Sequence, residues 1–128
     1  MARSFITPLA RARGSGSAHE GTGHFIAQRA TAIASLILTL FLAVLAVLLA
    51  GRDYAAARVL IANPFIAAGL LATAATFCWH MKLGMQVIIE DYVHGPVLRP
   101  ALLLANVVFC VAVFLLAAVA IGKIAFGA

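Results

Sequence analysis

The sequence predicts an all-α membrane protein of three transmembrane helices with a basic N-terminal arm, and three observations carry that expectation. Hydrophobic residues make up 65% of the chain and charged residues only 10%, with a mean hydropathy of +1.11, which leaves too few polar side chains for a water-exposed surface. Three windows, Ala30 to Ala50, Val59 to Ile89 and Ala101 to Ile121, reach the roughly 20 apolar residues that a helix needs to cross the hydrocarbon. The first and third hold no charged side chain at all.

The arm comes first. Residues 1–29 carry Arg3, Arg11, Arg13 and Arg29 among the glycines and serines of "RARGSGSAHEGTGH", with Glu20 as counter-charge. A secretory signal would place its apolar core nearer the start and close it with a small-residue cleavage site. Here the apolar run opens near Ala30 and is long enough to span, so a retained first span over about 30–50 is expected. The Arg- and Ser-rich, acid-poor arm also resembles an organellar transit sequence. The mitochondrial inner membrane therefore stands as an alternative to the bacterial inner membrane.

The second span is expected over about 59–90. It is uncharged from Val59 to His80, then admits His80 and Lys82 before ending at Glu90 and Asp91. Pro64 is a candidate for its first turn, where a missing N–H costs nothing. The third span follows over about 99–123, so that residues 30–128 form a three-helix transmembrane domain. The arm and the loop after the second span hold Arg3, Arg11, Arg13, Arg29 and Arg99, with Lys82 able to snorkel that way; Arg52, Arg58 and Lys123 fall on the other side. The positive-inside rule then makes the N-terminus cytoplasmic and the C-terminus external. This bias and anionic membrane lipid account for the net charge of +5. No nucleic-acid motif accompanies it.

Soluble-enzyme chemistry has no footing here: the sequence holds no phosphate loop, nucleophile elbow or metal-binding cysteine cluster. Cys78 and Cys110 both fall within spans, where a lone cysteine is a small buried hydrophobe. Without Cys-x-x-Cys-His, any haem would be held noncovalently.

Chemistry-bearing residues gather in "HMKLGMQVIIEDYVHG", residues 80–95. At about 1.5 Å rise per residue, His80 lies roughly 15 Å before Glu90, slightly to the cytoplasmic side of the bilayer middle. Eleven residues are three helical turns plus about 20°, so His80, Gly84, Val87 and Asp91 share one stripe. Gly84 leaves a gap in it that admits a flat ligand or another helix. An imidazole at that depth needs a partner, which leaves three readings: a metal or haem ligand, a proton relay, or an interhelical hydrogen bond. As a ligand it would use one ring nitrogen for iron and the other N–H for an acceptor such as the Thr76 carbonyl one turn earlier. His80 is the one histidine inside the expected spans, so a two-histidine haem would take its other ligand from a partner.

Glu90 and Asp91 close the helix at the negative end of its macrodipole, which something must offset. They read either as solvated acids marking the span end, with Tyr92 in the interfacial aromatic belt, or as a proton-handling pocket. In the second reading the Tyr92 hydroxyl donates to a carbonyl ligand and Asp91 orients a cation or water. A quinone suits such a pocket, since its head group arrives along the membrane and needs protons from the aqueous edge.

His80, ten residues, then Asp91-Tyr92 in "DYVHG", with "QRATAI" opening the first span, closely resembles the small hydrophobic membrane-anchor subunit of succinate dehydrogenase, respiratory complex II. The resemblance covers nearly the whole chain. It implies pairing with a second three-span subunit, cytochrome b, and docking of the flavoprotein and iron–sulfur subunits. It further implies that His80 is an axial ligand of haem b, whose other ligand is the cytochrome's, that Asp91 and Tyr92 lie at the ubiquinone site, and that Arg29 lies near the haem propionates. No succinate-oxidising site is implied for this chain. Lys82 departs from the apolar or aromatic residue expected at its position. Two rivals stand beside this reading: a small proton-conducting or transport protein, with His80 and the Glu90–Asp91 pair as a relay, and a structural anchor with no redox role. Transport calls for polar groups along several helices, whereas the third span offers only Asn106 and the first only threonine and serine.

Overall fold

A computed structural model of the chain describes residues 7–14 and 21–127. They form five helices: α1 Pro8–Arg13, α2 Gly21–Leu49, α3 Tyr54–Ile61, α4 Pro64–Tyr92 and α5 Leu98–Phe126. No strand occurs among the described residues. Helices α2, α4 and α5, each of 29 residues, are long and apolar enough to cross a membrane. At about 1.5 Å per residue each measures roughly 43 Å, the thickness of a bilayer with its headgroups. Of the expected basic arm, Arg3 and Glu20 lie outside the described residues.

Helix boundaries follow local chemistry more closely than mean hydropathy. The first spanning helix opens at Gly21, well ahead of Ala30, and so carries His24, Phe25, Gln28 and Arg29 as well as the apolar run. At its other end Gly51 takes φ +74°, a left-handed conformation that glycine adopts without steric cost. Arg52 then folds back, its Nε donating to the Leu48 carbonyl at 2.6 Å, which puts a cation against the negative end of α2.

The apolar window from Val59 to Ile89 resolves into two helices. Asp53 caps α3 by accepting from the Ala56 N–H at 2.8 Å. Asn63 then caps α4 by accepting from the Phe65 N–H at 3.0 Å, and Pro64 takes the first helical position. The proline has no amide hydrogen to lose there, and its presence biases Asn63 away from helical backbone. A short link, 93–97, turns the chain from α4 into α5, which ends at Gly127 with φ +75°.

The middle member of the bundle is α4, which packs against both α2 and α5. Its buried residues, Ala67, Thr73, Cys78, Leu83 and Ile89, are joined by Leu45 of α2 and by Asn106 and Cys110 of α5. In lipid no hydrophobic force drives helices together, so small residues and interhelical hydrogen bonds supply the association. Gly69 is one such contact: a Cβ there would lie 2.7 Å from Phe41 Cζ, so the α2 ring fills the space the glycine leaves. On the other side, Asn106 Nδ2 donates to the Lys82 carbonyl of α4 at 2.9 Å, and Cys110 Sγ approaches Asn106 Oδ1 at 3.6 Å. Both cysteines are buried and free.

Candidate functional site

The α2–α4 seam positions His80. Three spanning helices in succession make α2 and α4 antiparallel, and Thr31, about three turns into α2, meets His80, about three turns before the end of α4. The contact is a hydrogen bond: Thr31 Oγ1 lies 3.0 Å from His80 Nδ1. Thr31 also sits 2.8 Å from the Ala27 carbonyl oxygen and 3.1 Å from that of Gln28. Its single hydroxyl proton is therefore engaged by its own helix, which leaves the oxygen free to accept from Nδ1–H.

The other ring nitrogen is the chemically open one. Nε2 of half-buried His80 has no hydrogen-bond partner among the described residues, and it is not one of their buried unpaired atoms, so it keeps some exposure. One turn along, a Cβ at Gly84 would meet nothing within 4 Å. One ring nitrogen hydrogen-bonded, the other unpaired, and open space one turn along at Gly84 suit a nitrogen donor to a planar group. The partner of Nδ1 is Thr31, a residue on another helix, and not the Thr76 carbonyl that helix periodicity alone suggests. No group of three or more potential metal-ligating side chains exists among the described residues, so a metal centre here would draw its remaining ligands from outside the chain.

The expected residues at the end of α4 are less enclosed. Tyr92 is 79% exposed, Asp91 is exposed, and neither side chain has a hydrogen-bond or ionic partner among the described residues. Glu90 is half-buried and accepts from Gln86 Nε2 at 2.9 Å. That amide dipole offsets part of the repulsion between the carboxylate and the helix end. Arg29 is exposed and holds its guanidinium 5.0 Å over the Phe25 ring of the preceding turn, a cation–π contact within α2. The structure thus brings His80 to Thr31, with Arg29 two residues before Thr31 on α2 and Asp91 and Tyr92 about three turns beyond His80 on α4, and joins none of these three directly to His80.

Two features were not foreseen. Thr31 is one; His24, carried on the early turns of α2, is the other, with Nε2 buried and unpaired. At 100° per residue His24, Thr31 and Ser35 fall within an arc of about 40°, the side on which Thr31 meets His80, and Ser35 Oγ is also buried without a partner among the described residues. Thr31 and Ser35 of the first span thus form part of the polar lining of the seam that holds His80, whereas Thr39 is exposed and donates to the Ser35 carbonyl of its own helix at 2.7 Å. Lys82, half-buried, lines a groove of about 350 Å³ between α4 and α5 with Cys78, Trp79, Cys110 and Phe114.

The pattern of the family described as succinate dehydrogenase/fumarate reductase transmembrane subunit matches residues 3–119. The chain belongs to that family. Among succinate dehydrogenase hydrophobic membrane anchor subunits, it is 36% identical to that of Paracoccus denitrificans over 135 residues, covering 97% of this chain and 95% of the relative. It is 32% identical to that of Rickettsia bellii over 111 residues, 87% of this chain and 89% of the relative. It is 30% identical to that of Rickettsia conorii over 112 residues, with the same coverage of 87% and 89%. No solved structure gives a significant match. The stretch matched by the succinate dehydrogenase/fumarate reductase transmembrane family contains Arg29, Thr31, His80, Asp91 and Tyr92.

Proposed function

We propose that this chain is the membrane-anchor subunit of a succinate:ubiquinone oxidoreductase of the bacterial inner membrane, with His80 as one axial ligand of a haem b shared with a cytochrome b subunit. The observation that carries the reading is the state of the His80 ring, with one nitrogen tied to Thr31 and the other unpaired among the described residues. An unpaired ring nitrogen in hydrocarbon cannot be satisfied by lipid, and a haem iron held by His80 would satisfy it. The haem, when bound, supplies a one-electron redox centre whose potential its ligands tune; the protein's share is placement and electrostatics.

At the cytoplasmic end of α4, Tyr92 donates its hydroxyl to a ubiquinone carbonyl and Asp91 keeps a cation or water in place beside it. Both side chains are free in the single chain, as residues must be whose pocket is closed by neighbouring subunits. Ubiquinone leaves as the quinol after taking two electrons and two protons. The electrons come from an iron–sulfur subunit docked on that face; the protons come from the aqueous edge. Arg29, two residues before Thr31 on α2, offers a cation to the haem propionates. Succinate oxidation belongs to the flavoprotein subunit, and this chain tethers the assembly to the membrane.

A complex purified through a tag on this chain tests the proposal. Flavoprotein, iron–sulfur and cytochrome b subunits should accompany it with a b-type Soret band, whereas the chain expressed alone should bind haem weakly, because one histidine cannot complete a six-coordinate site. Recovery of the tagged chain without those subunits from respiring membranes would overturn the proposal.

A further inference from the structure

We infer that Thr31 is a positioning residue: its hydroxyl oxygen holds His80 in the Nδ1–H tautomer and so presents the Nε2 lone pair to the metal. The first half of this statement concerns the chain alone; the second rests on the haem reading above.

The imidazole has one proton to place on two nitrogens, and the surroundings decide where. If Thr31 donated to Nδ1, the proton would sit on Nε2, an N–H with no acceptor in hydrocarbon, which lipid leaves unsatisfied. Thr31 instead has carbonyl oxygens at 2.8 and 3.1 Å to receive its hydroxyl proton, both on its own helix and within one turn. With that proton placed, the oxygen at 3.0 Å from His80 accepts Nδ1–H. The ring is then fixed in rotation as well as in tautomer, since Thr31 is rigid at χ1 and α4 is held against α2 around it.

Such a bond also reaches the iron electronically. An N–H that donates to an oxygen makes the opposite nitrogen a stronger donor, and outer partners of this kind are worth about 10- to 100-fold in metal affinity. A stronger donor favours the ferric state. Thr31→Val keeps the branched shape and removes the acceptor; Thr31→Ser keeps the hydroxyl and is the rescue.

Two measurements test this. In the full haem-free chain in lipid nanodiscs, nitrogen-15 histidine spectra, assigned against His80→Leu, read the tautomer directly. Wild type and Thr31→Ser should show protonated Nδ1 and bare Nε2, and Thr31→Val a mixture. Bare Nδ1 in wild type, or the same tautomer in wild type and Thr31→Val, would overturn the inference whether or not haem ever binds. In the assembled complex, Thr31→Val should lose haem to apomyoglobin about tenfold faster and shift the ferrous-to-ferric ratio at fixed potential about tenfold toward ferrous, which for one electron is about 59 mV. Thr31→Ser should restore both. Unchanged haem retention and potential in Thr31→Val would refute the role of Thr31 at the metal. An unchanged spectrum in His80→Leu would instead remove the haem reading, leaving the tautomer result to stand on its own.

Discussion

Gly69 offers a test of the helix seam on which the site is built. A Cβ placed there would lie 2.7, 3.1 and 3.2 Å from Cζ, Cε1 and Cε2 of Phe41. Carbon atoms rest at about 3.5–4.0 Å, so Gly69→Ala forces the ring back by roughly 1 Å or pushes α2 from α4. Overpacking of this size costs about 1–3 kcal/mol, and each 1.4 kcal/mol is about a tenfold change in the equilibrium. Unfolding of the full chain in mixed micelles titrated with dodecyl sulfate, followed by fluorescence of Trp79, the single tryptophan, should show that loss. Phe41→Leu shortens the obstructing side chain. The double variant should therefore recover part of the deficit, with a coupling of about 0.5–3 kcal/mol between the two positions. A Gly69→Ala chain as stable as wild type would refute the close approach of α2 and α4, and an equal loss in the Phe41→Leu background would refute the identity of the obstructing residue. Because Thr31 and His80 meet across this same seam, a separated seam should also disturb the His80 ring.

Two further outcomes are expected. Tyr92→Phe keeps the ring and removes the hydroxyl, so ubiquinone reduction by the complex should fall about 10²- to 10³-fold while succinate oxidation with a soluble dye acceptor continues; unchanged ubiquinone reduction would return Tyr92 to the interfacial aromatic belt. A reporter fused to the C-terminus should be active on the external side of the membrane, as the positive-inside rule requires, and a cytoplasmic reporter would place Tyr92 on the wrong side for the iron–sulfur subunit.

The sequence made the spanning helices legible because apolar length is a one-dimensional property, and α2, α4 and α5 each satisfy it. Its limits are instructive at particular residues. Averaged hydropathy ran through Ile61 and Pro64 without a break, although Asn63 and Pro64 are a capping signal that separates α3 from α4. Averaging also missed the early turns of α2, where His24 and Arg29 lie on helix and not in the arm. His80, Asp91 and Tyr92 stood out because ionisable groups are rare in such a chain, and the shared stripe of His80 and Asp91 follows from helix geometry alone. Thr31 did not stand out. It is a common residue 49 positions away from its partner, and the register of one helix against another depends on packing, here Phe41 on Gly69, that no periodicity encodes. A signal was present all the same: Thr31 and Ser35 lie one turn apart on an otherwise apolar helix, and polar groups in a membrane helix face its neighbours.

The central claim, that His80 gives its open nitrogen to a haem shared with another subunit, is tested most directly by the spectrum of the purified complex carrying His80→Leu. Leucine keeps the apolar face of α4, so the partner subunits should still co-purify. The low-spin, two-histidine signature should be lost or replaced by a high-spin one. A fully low-spin, two-histidine spectrum in the His80→Leu complex would contradict the account and leave His80 a packing residue bonded to Thr31.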